Sequence, residues 1–86
     1  MNGIFNQATV SLPQVPNAAA YNIYYKQDGA TNFTNAVRDI PPTVHQYTLS
    51  YLKKGVSYKY KVAALDRHDK EFYFSPIETL TNLQSM

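Results

Sequence analysis

Tyr47 to Leu65, YTLSYLKKGVSYKYKVAAL, decides the fold. Two runs of alternating apolar and polar residues flank a turn. In the first, Tyr47 and Leu49 share one face while Thr48 and Ser50 share the other. In the second, Tyr58, Tyr60, Val62 and Ala64 face one way, and Ser57, Lys59, Lys61 and Ala63 the other. Successive side chains of a strand point to opposite faces, so a period of two over this length predicts half-buried strands. The join is longer than a two-residue hairpin. Its L-x-x-G-x-x-Y spacing, Leu52, Gly55 and Tyr58, is that of a tyrosine corner, in which an inward phenol uses its hydroxyl to tie backbone a few residues upstream. That device belongs to two packed antiparallel sheets.

Working outward, turn chemistry separates further short strands. Ala8-Thr9-Val10-Ser11-Leu12 alternates and is ended by Pro13 and Pro16, since proline cannot donate into a ladder. Tyr21-Asn22-Ile23-Tyr24-Tyr25-Lys26 follows with Tyr21, Ile23 and Tyr25 inward, and Gln27-Asp28-Gly29-Ala30 reads as a turn. Between Thr31 and Ile40 the signal is weaker, with Phe33 and Val37 as anchors of a short edge strand. Pro41-Pro42 predicts an extended connection. Past Leu65 the run Asp66-Arg67-His68-Asp69-Lys70-Glu71 reads as an exposed loop. A last strand lies within Phe72 to Thr81, interrupted or offset near Pro76. Six or seven strands and no helical stripe predict an all-β sandwich.

Composition bounds the rest. Eighty-six residues make one domain, residues 1–86 with a core over 8–81. A chain of this size buries roughly 60–65% of its extended surface, so dense packing must carry stability. Eight Tyr and four Phe supply the area; aromatic side chains bury on the order of 150–250 Å² each. With no Cys, no disulfide staples the fold, which leaves the redox compartment open. A formal charge of +2 implies neither a nucleic-acid nor a membrane partner. The N-terminal MNGIFNQATV has no leader-like apolar core, and no run reaches a membrane span.

These pieces together resemble a fibronectin type III domain, an immunoglobulin-like sandwich, over Ala8 to Leu80. YNIYYK, YTLSYL, the L-x-x-G-x-x-Y corner, YKYKVAAL and Phe74-Ser75-Pro76 match the family's strands C and E, its E–F corner, and strands F and G. The linker VPNAAAYNIYY is similar to those of bacterial and viral members. Three positions depart from the pattern: Leu12 replaces the strand-B tryptophan, Lys54 replaces the proline before the corner glycine, and only Met1 to Gln7 remain for strand A. The first strand is thus expected to be short or missing. Either Gly3-Ile4-Phe5 covers that edge, or a partner completes it in trans by strand addition.

Chemistry-bearing residues are sparse. No G-x-S-x-G occurs, and Ser11, Ser50 and Ser57 fall on outward positions. His45 and His68 have no partner at catalytic spacing, so no enzyme is expected. Asp66, Arg67, His68, Asp69, Lys70 and Glu71 place three carboxylates and an imidazole together. They lack the alternation and glycine of a calcium loop, and Arg67 and Lys70 offset the charge. We read Asp66, Arg67, His68 and Asp69 as a solvated interaction loop without a metal or other cofactor. It holds no Arg-Gly-Asp for integrin-type adhesion. Asn32-Phe33-Thr34 is a glycosylation sequon that matters only in a secreted eukaryotic chain.

The remaining candidate is a surface. Tyr24 and Lys26 project outward beside Lys59 and Lys61, because their two strands neighbour each other in the resembled fold. Aromatics mixed with lysines are able to stack bases or sugars. Against this, four residues make a thin platform, charge is low and no RNP-like signature is present. Tyrosine also suits strands for packing alone, and lysine guards exposed strands. The expectation is a non-enzymatic spacer or protein-interaction domain of an extracellular or cell-surface protein. A complete small virion protein, decorating a phage capsid or tail, is the alternative, and a carbohydrate-binding module is a weaker one.

Overall fold

The computed structural model describes residues 5–53 and 55–80. Seven strands account for most of them: β1 (Phe5–Ser11), β2 (Ala20–Gln27), β3 (Asn35–Ile40), β4 (Gln46–Lys53), β5 (Tyr58–Leu65), β6 (Glu71–Phe74) and β7 (Glu78–Leu80). There is no helix among the described residues. β1 pairs with β4, while the second sheet runs β3-β2-β5-β6 with β7 also on β5; every pairing is antiparallel. Val10, Leu12, Leu49 and Leu52 from the first layer share one buried cluster with Tyr21, Ile23, Ile40, Tyr58, Val62, Ala64 and Leu80 from the second. Two antiparallel sheets closing on one apolar interior are consistent with a β-sandwich.

Turns form where residue chemistry permits positive φ. Gly29 (φ +96°) sits third in the turn that Ala30 N–H closes onto Gln27 C=O at 3.0 Å. That position needs φ > 0, which glycine adopts without steric cost. Asn17 (φ 67°) serves the same role after Pro16, with Ala18 N–H on Val15 C=O at 3.2 Å. After β4, Gly55 (φ 79°) precedes the Val56 N–H that reaches Lys53 C=O at 3.2 Å. The chain then enters β5 at Tyr58, buried and tilted against Tyr25 with ring centroids 6.3 Å apart. Its hydroxyl accepts the Lys53 N–H at 2.8 Å. The expected phenol-to-backbone tie is thus present, with the hydroxyl as acceptor.

Two bulges re-phase strands that simple alternation would have mistaken. Asn6 and Ala8 of β1 oppose Leu52 and Leu49 of β4, so β4 carries one extra residue and both Leu49 and Leu52 point inward. Tyr21 and Ile23 oppose Ile40 and Val37, so β3 bulges at Arg38-Asp39. Asp39 there takes φ 59°, and its N–H donates to Asn22 Oδ1 at 3.0 Å.

Several sequence expectations need correction. The first strand begins at Phe5, opposite Lys53, so residues 5–7 extend this strand and do not form a separate one. Gly3 and Ile4, on which the edge-covering expectation also rested, lie outside the described residues, as does Lys54. Pro41-Pro42 does not run extended; it opens a turn closed by Val44 N–H on Pro41 C=O at 3.1 Å. Phe33 precedes β3 and anchors no strand. Tyr60 has inward phase but is only half-buried, because it opens onto a cleft beside Pro13 and Pro76. Burial and then the Glu78 carboxylate raise its phenol pKa. The last strand is interrupted as expected: Ser75 bridges β6 and β7, its N–H on Val62 C=O and its Oγ accepting Val62 N–H, both at 2.8 Å.

Candidate functional site: a basic and aromatic sheet face

β2 and β5 are the two central strands of the larger sheet, and their register sets this site. Tyr24 stands opposite Lys61 and Lys26 opposite Lys59, so the four residues singled out from sequence form two successive rungs on one face. One residue of slip in either strand would have turned its two members of the set inward. Lys61 Nζ lies 4.9 Å from the Phe33 ring centroid, 5.6 Å from that of Phe74 and 5.8 Å from that of Tyr24. Lys26 Nζ stands 5.1 Å from Phe33, and Arg38 Cζ 5.5 Å from Tyr24. A cation within about 6 Å of a ring centroid is attracted by the ring quadrupole. The loop before β3 and β6 therefore converge on Lys61, and the β3 bulge brings Arg38 to Tyr24.

The same rungs continue into a polar anchor. Asn22, 3% exposed, opposes Ala63 on this face, and Phe74 flanks Ala63 on its other side. Ala63 is fully buried although its phase is outward. Asn22 Nδ2 donates to Glu71 Oε2 at 3.0 Å and lies 3.2 Å from the Tyr24 hydroxyl, which itself donates to Glu71. Arg38 Nη1 reaches that hydroxyl at 3.4 Å. An open cleft of about 430 Å³ lies beside this network, bordered by Tyr24, Arg38, Leu65, Asp69 and Glu71. Lys26 Nζ donates to Ala30 C=O at 2.7 Å and Lys59 Nζ to Thr79 Oγ1 at 3.1 Å.

Lys61 supplies a direct test of this geometry. Lys61→Met keeps a long apolar stem and removes the charge from between the rings, so it should destabilise by about 1 kcal/mol. For a domain of this size that is roughly 4–8 °C in Tm. Lys59, whose ammonium contacts no ring among the described residues, is the control: Lys59→Met should move Tm by no more than about half as much. Equal shifts in a thermal melt of the two variants would contradict the three-ring contact.

The loop Asp66, Arg67, His68 and Asp69 reaches this face at the cleft, which Asp69 borders. It is a tight hairpin turn: Asp69 N–H reaches Asp66 C=O at 3.0 Å, Asp66 N–H reaches Lys70 C=O at 2.9 Å, and Asp69 takes φ 63°. A turn followed by one left-handed residue is a favoured hairpin connection. Asp66 Oδ1 accepts His68 N–H at 2.7 Å and Lys70 N–H at 3.1 Å. These bonds, from Lys70 and then His68, hold its carboxyl below the usual pKa. A carboxylate favoured in this way contributes stability above its unfolded pKa and loses it as pH falls through the lowered folded value. The His68 and Lys70 amide NMR shifts should therefore titrate together, with a midpoint below the ordinary Asp value of about 3.9. A midpoint at or above that value would remove Asp66 as the turn's anchor. The loop is thus organised by its own acid, and no three His, Cys, Asp or Glu residues cluster as metal ligands among the described residues.

As members of this face, Phe33, Arg38, Glu71, Phe74 and Asn22 were not anticipated from the sequence. Strand phase alone places Asn22 beside Tyr24, so that signal was available. Arg38 reaches the face only through the β3 bulge, and Phe33 only through a loop, neither of which alternation reveals. His45 and His68 are both exposed; His45 C=O accepts Leu12 N–H at 2.9 Å, continuing the β1–β4 pairing past Ser11 and Gln46. No helix of the described residues is long and apolar enough to cross a membrane. No protein-family model matches the chain, and a search of curated proteins returns no match.

Proposed function

We propose that the chain is a fibronectin type III-like module without catalytic activity that binds protein through the outer face of its larger sheet. What supports the family reading is the layer division, β1 and β4 against β3-β2-β5 with β6 and β7, together with the Tyr58 tie at the turn into β5. What carries the binding reading is one observation: Phe72 is 47% exposed and Phe74 50% on β6, the edge strand that borders the basic rungs, and Ile77 is 57% exposed in the link from β6 to β7. Large apolar side chains grouped at a surface mark contact sites.

The approach is face-on. Ser75 turns its N–H and hydroxyl to Val62, so Phe74 and Pro76 direct their backbone away from β5. Proline has no N–H, and a strand added at this edge meets its gap at once. A sugar or nucleobase reading has less support, because Tyr24 and Phe33 are each already met by two cations.

The test is selection of displayed random peptides on the immobilised protein, beside a Phe74→Ser variant whose fold is checked by circular dichroism. Convergent peptides that bind the wild type and lose binding to the variant are expected. No convergence, or peptides indifferent to Phe74, would sink the proposal.

A further inference from the structure

We infer that the two rungs of this face receive an extended, carboxylate-rich segment of a protein partner, a refinement that rests on the protein-binding reading above. Lys26, Lys61 and Arg38 lie on the rings of Tyr24, Phe33 and Phe74, and Lys59 stands opposite Lys26 on the same face. Glu71 is the carboxylate tied into this network, through Tyr24 and Asn22. Lys26 bonds a backbone carbonyl, Lys59 the Thr79 hydroxyl and Arg38 the Tyr24 hydroxyl. No carboxylate forms an ion pair with any of these four cations among the described residues. An ammonium has three donors and a guanidinium five, so each retains capacity for an acceptor. Four cations against the Glu71 carboxylate leave a local excess of positive charge within the described fold.

Spacing selects the ligand's form. Successive residues of a strand on one face lie about 6.6–6.8 Å apart. The Lys26–Lys59 rung and the Tyr24–Lys61 rung have that separation, since Tyr24 and Lys26 are two residues apart on β2. An extended peptide presents alternate side chains on one face at the same interval, so carboxylates at positions i and i+2 match the two rungs. Arg38, beside the inner rung, suits a bidentate carboxylate contact. Exposed Phe74 offers the segment an apolar neighbour. A nucleic acid would also satisfy the charge, but single strands are held by stacking on open ring faces. Here Lys61 and Arg38 lie over Tyr24, and Lys26 and Lys61 over Phe33.

The experiment titrates the whole chain with a short peptide alternating Glu and Thr, followed by NMR. The same peptide with Gln for Glu, an oligothymidylate and a heparin oligosaccharide are titrated in parallel. Saturable binding of the Glu peptide is expected, with shifts at Tyr24, Lys26, Lys59 and Lys61 and weakening at raised salt. Lys26→Glu with Lys59→Glu should weaken it about tenfold or more, because two attractions become repulsions. A Lys26→Gln, Lys59→Gln pair should fall between, and amide shifts remote from the face check that both variants stay folded. Equal binding of the Gln peptide, absence of binding, or tighter binding of the oligothymidylate or heparin would overturn the acidic-segment assignment. If Phe74-dependent peptides still emerge from selection but are neutral, this refinement fails while the protein-binding reading stands. If neither assay yields peptide binding, both fail.

Discussion

Tyr58→Ala is expected to cost about 4 kcal/mol, within the 3–5 kcal/mol typical of truncating a buried aromatic. Tyr58 is 4% exposed, stacks in tilted fashion on Tyr25 and opposes Leu80 across the sheet. Its ring thus closes the bottom of the core where β4, β5 and β7 meet. The substitution also removes the oxygen that accepts Lys53 N–H. Tyr58→Phe separates these contributions, since it retains the ring and loses one hydrogen bond, for about 1 kcal/mol. A domain of 86 residues has a total stability of roughly 4–13 kcal/mol. The alanine variant should therefore be largely unfolded under mild denaturant, while the phenylalanine variant remains folded with a lower midpoint. Urea titration of the three proteins reads both quantities. An alanine variant within about 1 kcal/mol of the wild type would remove Tyr58 from the core and the corner together.

The second large effect is expected at Asn22, a polar residue in an apolar setting. Asn22→Ala should destabilise by about 1–3 kcal/mol, because it truncates a buried side chain and removes the bonds that side chain makes to its part-buried neighbours. Two dependants lose their partner. Asp39 N–H, in a left-handed residue at the β3 bulge, donates to Asn22 Oδ1, and Glu71 Oε2 accepts from its amide. Loss of the first should also loosen the bulge, so Arg38 would leave the Tyr24 ring. Faster amide exchange at Asp39, with little change at Leu49 on the other sheet, is the accompanying signature. Uniform loss of protection across both sheets would mean that Asn22 only fills space.

What was legible in the sequence follows from what alternation encodes. The phase of β2 and β5 could be read because both strands run eight residues without a bulge between them, and the register then delivered Tyr24, Lys26, Lys59 and Lys61 to one face. Gly55 and Tyr58 announced the turn because each residue type has a specific backbone or hydroxyl role there. β3 was faint for a physical reason: it is an edge strand, its bulge breaks the period, and of its residues Ile40 alone is fully buried. The start of β1 was misplaced because Asn6 and Gln7 are poor strand formers, and cross-strand pairing with β4 overrides that weak preference. The rest of the site was out of reach because Phe33, Arg38 and Phe74 lie in three separate segments. Only the closed sheet brings Phe33 and Phe74 to Lys61 and Arg38 to Tyr24. The acid loop was legible as an exposed turn from its run of charged residues, but that Asp66 closes it on its own backbone was not, because alternation says nothing of side-chain caps.

The central claim is a register, Tyr24 opposite Lys61 and Lys26 opposite Lys59, with the Lys61 ammonium among three rings. The most direct measurement is a set of nuclear Overhauser contacts in the free protein, from the Lys61 side chain and across β2 and β5. Contacts from Lys61 Hε to the rings of Tyr24, Phe33 and Phe74, with Lys61 Hε shifted upfield by ring currents, are the predicted result. Cross-strand contacts placing Tyr24 opposite Tyr60 or Val62, with no ring near Lys61, would contradict it and remove the binding face.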